Sequence, residues 1–241
     1  MTCLPNYHKL KPLEKDKKMK TLSKEILEEL KSVVSGKSLD AIFPPFVYLL
    51  VKGSFGLTMA VLASSILAFL FGLYRLTQKQ NWFYALVGFI GVLTAGSLAL
   101  IANNATNYFL PGIINNALIL GLAIVSLVMD RPMAAYASHL TRGWSLSWFW
   151  LGSIKPAYRE VTWIWTLFFL MRTGLQVFLF TQNDLTSLVW ANTLLGLPIT
   201  ILILVLSYIY GIARLRALKG PGIEEYLNHL EPPYKGQTRG F

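Results

Sequence analysis

Val161-Thr-Trp-Ile-Trp-Thr-Leu-Phe-Phe-Leu-Met-Arg-Thr-Gly-Leu-Gln-Val-Phe-Leu-Phe-Thr-Gln182 carries a single charge, Arg172, near its middle. As a helix rising about 1.5 Å per residue, a stretch of this length spans the roughly 30 Å hydrocarbon layer of a bilayer. A guanidinium at its centre costs at least about 2.5–3.5 kcal/mol, so it persists only where something solvates or pairs it. Whatever chemistry the chain has is therefore expected inside the membrane.

The rest of the chain agrees with that reading. Its 241 residues are 54% hydrophobic and 14% charged, with a mean hydropathy of +0.49; a soluble domain carries charge on nearer a quarter of its residues. The lone Cys3 excludes an internal disulfide and a thiolate cluster, and His8, His139 and His229 lie far apart, so neither a metal nor another cofactor is expected. The first forty residues are Lys-rich and lack the apolar stretch of a cleavable signal. The net charge of +10 would point to nucleic acid in a soluble protein. Here the positive residues fall in loops and tails, where they set orientation, and anionic lipid headgroups are the expected partner rather than nucleic acid.

Three regions follow. Residues 1–38 form a tail with nine lysines and no arginine. From Thr21 onward Leu22, Ile26, Leu27, Leu30, Val33 and Val34 recur at helical spacing, as in an amphipathic helix lying on headgroups or packed on loops. Residues 39–215 hold six apolar segments: Leu39–Val51, Ser54–Tyr74, Trp82–Ala102, Phe109–Met129, Val161–Gln182 and Leu188–Tyr210. The first is short, and Pro44-Pro45 should bend or interrupt it. Residues 216–241, with Pro232-Pro233 and several glycines, read as a flexible cytoplasmic tail. The connection 130–160 interleaves Arg131, Arg142, Lys155 and Arg159 with Trp144, Trp148 and Trp150, as in a segment resting at the interface. Lys and Arg gather in alternate connections and are absent from 103–108 and 183–187. The expected architecture is an all-α, polytopic helix bundle with six crossings and both termini in the cytoplasm.

Depth along each span suggests company for Arg172. Gln176 lies one turn further along the same face. Asn115 and Asn116 on the fourth segment, and Asn192 on the sixth, enter at a similar depth. Six residues beyond Asn192, Pro198 should free the carbonyl of Leu194 from its helical bond. The expectation is a buried polar cluster of Arg172, Gln176, Asn115, Asn116 and Asn192, with Arg172 as its hub. It would serve either as interhelical glue or as a ligand site, and the absence of a carboxylate at that depth leaves room for an anion. Gly88, Gly91 and Gly96, and Ala117 with Gly121, offer small faces for close helix approach. No HExxH, GxSxG or GxGxxG occurs, so no catalytic residues and no enzymatic activity are expected.

Leu39-Asp40-Ala41-Ile42-Phe43-Pro44-Pro45-Phe46-Val47, Asn107-Tyr108-Phe109-Leu110-Pro111-Gly112 through Asn115, Asp130-Arg131-Pro132-Met133, and Trp165 through Arg172 and Gln176 together resemble the bacterial intracellular septation protein A family and a related group of bacterial integral membrane proteins of largely unknown function. The likeness covers roughly residues 39–215. It implies a multi-pass protein of the bacterial cytoplasmic membrane that is not an enzyme, with a role in cell-envelope maintenance through contacts with other membrane proteins. The long Lys-rich tail and the Trp-rich 143–150 stretch depart from the septation branch and draw the chain toward the second group. Three functions follow from the sequence. The first is a non-catalytic scaffold or accessory subunit binding lipids or membrane proteins, other copies of itself (a homo-oligomer) among them. The second is a small transporter or channel with a polar site around Arg172. The third is a pigment-, quinone- or lipid-binding subunit of a larger complex.

Overall fold

The computed structural model describes residues 39–77, 82–237 and 240–241. The Lys-rich segment 1–38 and its expected amphipathic helix lie outside the described residues. The described chain is helical, with no strand among those residues: α1 Leu39–Thr77, α2 Trp82–Ile101, a 3-10 turn Ala105–Phe109, α3 Leu110–Val128, α4 Met133–Arg142, α5 Leu146–Phe149, α6 Lys155–Thr181, α7 Leu185–Leu195, α8 Leu197–Leu218 and α9 Ile223–Leu227. Among the described residues four stretches are long and apolar enough to cross a membrane: Pro45–Tyr74, Ala105–Val128, Lys155–Thr181 and Leu185–Leu218. A shorter apolar helix, Leu86–Ile101, accompanies them.

The first two apolar segments of the sequence are therefore one helical element, and its interruption is not at the prolines. Helix runs through Pro44-Pro45 in its first turns and breaks at Gly56, where φ is 81° and ψ 179°. Only glycine adopts that conformation without strain. Pro44 and Pro45 sit early enough that few intrahelical donors are lost. The two limbs have different partners. Before the break, the Tyr48 hydroxyl donates to the Ala105 carbonyl at 2.9 Å, its ring stacks on Tyr108 at 4.2 Å, and Phe46 meets Trp190 edge-on. After it, Val61 packs into the notch left by Gly96 and Phe69 tilts against Phe89. The turns at Asn104 and Asn183 are tied together where the Asn104 amide donates to the Asn183 side chain at 2.6 Å.

The sixth segment is also divided. α7 starts on Asp184, whose carboxylate accepts from the Ser187 amide and is held below its usual range, chiefly by Ser187. It ends at Gly196, where ψ of −118° leaves the helical range, and α8 restarts with Pro198 in its first turn. The break that Pro198 suggests is present, two residues earlier.

At the opposite end lies a second core, and it corrects two expectations. Trp148 and Phe149 have no exposed surface and pack with Ile154, Ala157, Tyr158, Leu215 and Ile223, so Trp148 is a core residue and not an interfacial anchor. Arg131 instead lies over Trp150, 4.5 Å from its ring centre. The described residues of 216–241, a segment expected as a flexible tail, fold onto this core. The Trp148 indole donates to the Pro221 carbonyl at 3.0 Å, and Phe241 stacks on Tyr158 at 4.2 Å. The Glu225 carboxylate accepts from the backbone amides of Gly222, Lys235 and Gly236. The prolines and glycines shape a compact strap, because one acceptor-only carboxylate gathers these amides around itself.

Candidate functional site: a cavity at the helix break

Three of the five expected cluster residues form a hydrogen-bonded chain. The Asn116 amide on α3 donates to the Gln176 side-chain oxygen on α6 at 2.8 Å. The Gln176 amide donates in turn to the Asn192 side-chain oxygen on α7 at 2.7 Å. Gln176 has no exposed surface and Asn116 almost none. A carboxamide both donates and accepts, which lets the one side chain of Gln176 join two neighbouring helices. The hub is therefore Gln176 and not Arg172. Asn115 points away from this chain and is exposed on α3, because it lies about 100° around the helix from Asn116.

Arg172 occupies a different position, on the wall of a cavity of about 390 Å³. Pro45 of α1 lines one side and Tyr108, Phe109 and Gly112 another; Asn192, Thr193, Gly196, Leu197 and Thr200 contribute the broken helix. Arg172 lies nine residues from the end of α6 and Asn192 seven from the start of α7, which puts the cavity about 10–14 Å from the Asn104/Asn183 end. The guanidinium is half-buried, and its Nε is enclosed with no hydrogen-bond partner. The amide company expected for Arg172 is partly engaged elsewhere, since Gln176 takes the Asn116 amide and the Asn192 oxygen.

The break supplies the remaining polarity. The α8 N-terminus, with Gly196, Leu197 and Thr200 in the wall, brings unbonded amide character and the positive end of a helix dipole. Gly196 is required by close approach: a Cβ there would lie 2.4 Å from the Asn192 carbonyl oxygen. The hydroxyl of Thr193 donates back to the Val189 carbonyl and that of Thr200 to the Leu195 carbonyl, so each presents only lone pairs to the cavity. The negative end of α7 opens on the same space and lowers the cost of an unpaired guanidinium there.

Glu160, Asp130 and their basic partners lie toward the Trp148 end. Glu160 accepts two-pronged from Arg214, Nε to Oε2 at 2.8 Å and Nη2 to Oε1 at 2.9 Å, and also accepts from the Tyr210 hydroxyl. Asp130 pairs with Lys155, and Arg159 stands 3.8 Å away. The hydrogen bond from Lys155 holds the Asp130 carboxyl below its usual range. No group of three or more His, Cys, Asp or Glu that could hold a metal occurs among the described residues. The cavity is marked in the sequence by Arg172 and Asn192, and its helix break by Pro198; Gly196 carries no signal that sets it apart from the other glycines.

Apolar helices of spanning length around a polar, internally bonded centre define an integral membrane protein of the all-helical class. Residues 35–217 match the family model described as "Protein of unknown function (DUF3159)", and the chain belongs to that family. The match carries no link to septation protein A. No curated protein and no solved structure matches the chain.

Proposed function

We propose that the protein is a non-catalytic small-molecule carrier of the bacterial cytoplasmic membrane, which holds its ligand in the Arg172 cavity. The observation that carries this reading is a membrane-depth cavity with an unpartnered guanidinium at a discontinuous helix. Discontinuous helices near mid-membrane, with a half-helix N-terminus turned toward the ligand, are a recurring device of transporters. A volume of about 390 Å³ is within the range of small-molecule sites. Six crossings suit the carrier, with the limbs of α1 as two of them and the Arg131, Lys155 and Arg216 end toward the cytoplasm. Purification of the full chain in mild detergent, followed by mass spectrometry of extracted small molecules, tests the reading. A molecule retained by wild type and lost from Arg172→Gln supports it; equal retention by both refutes it.

A scaffold or accessory-subunit role is the second reading. It is favoured by the open glycine faces of α2 and α3, where a Cβ added to Gly88, Gly91 or Gly121 would meet nothing within 4 Å, leaving room for a neighbouring helix of a partner or a second copy. A stoichiometric protein partner that survives Arg172→Gln distinguishes this from the carrier.

A further inference from the structure

We infer that the ligand of the Arg172 cavity is an organic monocarboxylate with an apolar body, a class that rests on the carrier reading and sharpens it. The charge of the wall sets the first limit. Among the described residues lining the cavity Arg172 is the single charged one, with no carboxylate beside it. In a low-dielectric setting one cation compensates one negative charge, and a second charge on the ligand would be buried without a partner. A doubly charged phosphate is therefore a poor occupant.

Geometry sets the second limit. The Nε of Arg172 is enclosed without a partner, so a ligand in the cavity meets the guanidinium at its Nη groups, a planar pair of donors that a carboxylate receives through two parallel hydrogen bonds. The positive end of α8, at Gly196 and Leu197, adds favourable potential for an anionic group, while the negative end of α7 on the same space favours keeping that group beside Arg172. Asn192 completes the polar side. Its oxygen already accepts from Gln176, so its amide hydrogens are the part left to bond elsewhere. Guanidinium and amide alike are donors, which suits an acceptor-only group such as a carboxylate.

The remaining wall sets the third limit. Tyr108, Phe109 and Pro45, with the Leu197 side chain, add rings and alkyl surface to the wall. A bare inorganic anion would leave that apolar volume unfilled. A carboxylate with a small aromatic, branched or alkyl body fills both halves. Such a carboxylate can reach the site as a free acid from water or as a fatty acid from the surrounding bilayer, and the two sources differ in the length of the body.

The test uses the full-length chain in dodecylmaltoside, with Cys3→Ser to remove the native thiol and Thr200→Cys to place one thiol in the wall. The rate of modification by a small uncharged maleimide is measured with benzoate, decanoate, benzamide or inorganic phosphate. Benzoate or decanoate is expected to slow modification about tenfold at roughly ten times its Kd, while benzamide and phosphate have no effect. Benzoate acting better assigns a free acid, and decanoate acting better assigns a lipid-derived one. Arg172→Gln is expected to abolish the protection and Arg172→Lys, which keeps the charge but loses the fork, to weaken it. Thermal unfolding of the unmodified protein with the same four compounds gives a readout that needs no variant, with a rise in Tm expected for the carboxylates alone. Equal protection by benzamide, or protection by phosphate alone, overturns the carboxylate assignment and leaves the cavity as a binding site. No protection and no Tm shift with any compound overturns the assignment and the carrier reading together.

Discussion

Replacing Gln176 by leucine keeps the side chain's approximate volume and removes both ends of the amide that links α3 to α7. Two hydrogen bonds are lost, at 2.8 and 2.7 Å, and the amide of Asn116 and the oxygen of Asn192 are left without that partner. Side-chain hydrogen bonds between membrane helices average about 0.6 kcal/mol and reach about 1.7, so the pair contributes about 1–3 kcal/mol. Full burial of Gln176 argues for the upper half of that range, because no water is at hand to replace either bond. The measurement is reversible unfolding in mixed detergent–SDS micelles followed by far-UV circular dichroism. Gln176→Leu is expected to unfold at a lower SDS fraction, with a loss of about 2 kcal/mol. Asn116→Leu is expected to lose less, since it breaks one bond. In a double-mutant cycle the two changes should fall short of additivity by about the energy of the bond they share. A Gln176→Leu variant within about 0.3 kcal/mol of wild type, or strict additivity with Asn116→Leu, would refute the relay as a stabilising element.

Three further outcomes are expected. A Cβ on Gly211 would lie 2.4 Å from the Phe241 ring, so Gly211→Ala should displace Phe241 from Tyr158 and speed trypsin cleavage at Lys235; in a Phe241→Ala background the same change should have no further effect, and an equal acceleration in both backgrounds would disprove the contact. Trp148→Ala removes a fully buried ring and its bond to Pro221, and is expected to cost about 3–5 kcal/mol; a thermal-unfolding loss under about 1 kcal/mol would contradict the second core. Glu225 is held below its usual range, first by its bond from Gly222, so its contribution to docking of the strap is complete above the unfolded value of about 4.3 and is lost as pH falls through the lower folded value. Tryptophan fluorescence of wild type should show that acid transition, and Glu225→Gln should lack it and expose the strap already at neutral pH; an unchanged acid midpoint in the variant would exclude Glu225 as the titrating group.

The class of the protein is legible in the sequence because membrane spans are written in bulk hydropathy, which does not depend on knowing neighbours. Depth matching along the spans also succeeds for Gln176, Asn116 and Asn192, whose distances from the shared end follow from residue counts alone. It fails for Asn115, since depth says nothing of direction, and one residue around a helix turns that side chain out of the bundle. Arg172 shows the same limit: at the right depth, on the right helix, it bonds to none of the amides because Gln176 is placed between them. Residues 216–241 mislead for another reason. Prolines and glycines exclude long helices but do not exclude a packed strap, and the amides that Glu225 gathers come from both sides of it, the furthest eleven residues on. Trp148 reads as interfacial because tryptophan is common there, yet its burial depends on Ile223 and Leu215, which come from distant parts of the chain.

The relay and the helix break belong to one construction. Asn192 is one helical turn before Gly196, so the amides of Gln176 and Asn116 fix the last full turn of α7 against α6 and α3. On the far side of the break, Thr200 reaches back to the Leu195 carbonyl at 3.3 Å and Pro198 starts α8 without a donor that needs a partner. A discontinuity that frees backbone groups inside a membrane is tolerated where they are bonded locally or line a cavity, and here both conditions hold. Nothing in that support uses Arg172. Helix glue would be served by the three amides alone, at no cost in buried charge. The guanidinium adds a penalty of at least about 2.5 kcal/mol, and its enclosed Nε has no bond among the described residues to offset it. A residue that is expensive to keep and makes no bond in the described fold is what the proposed ligand would account for, and a donor-only guanidinium suits the carboxylate proposed for it.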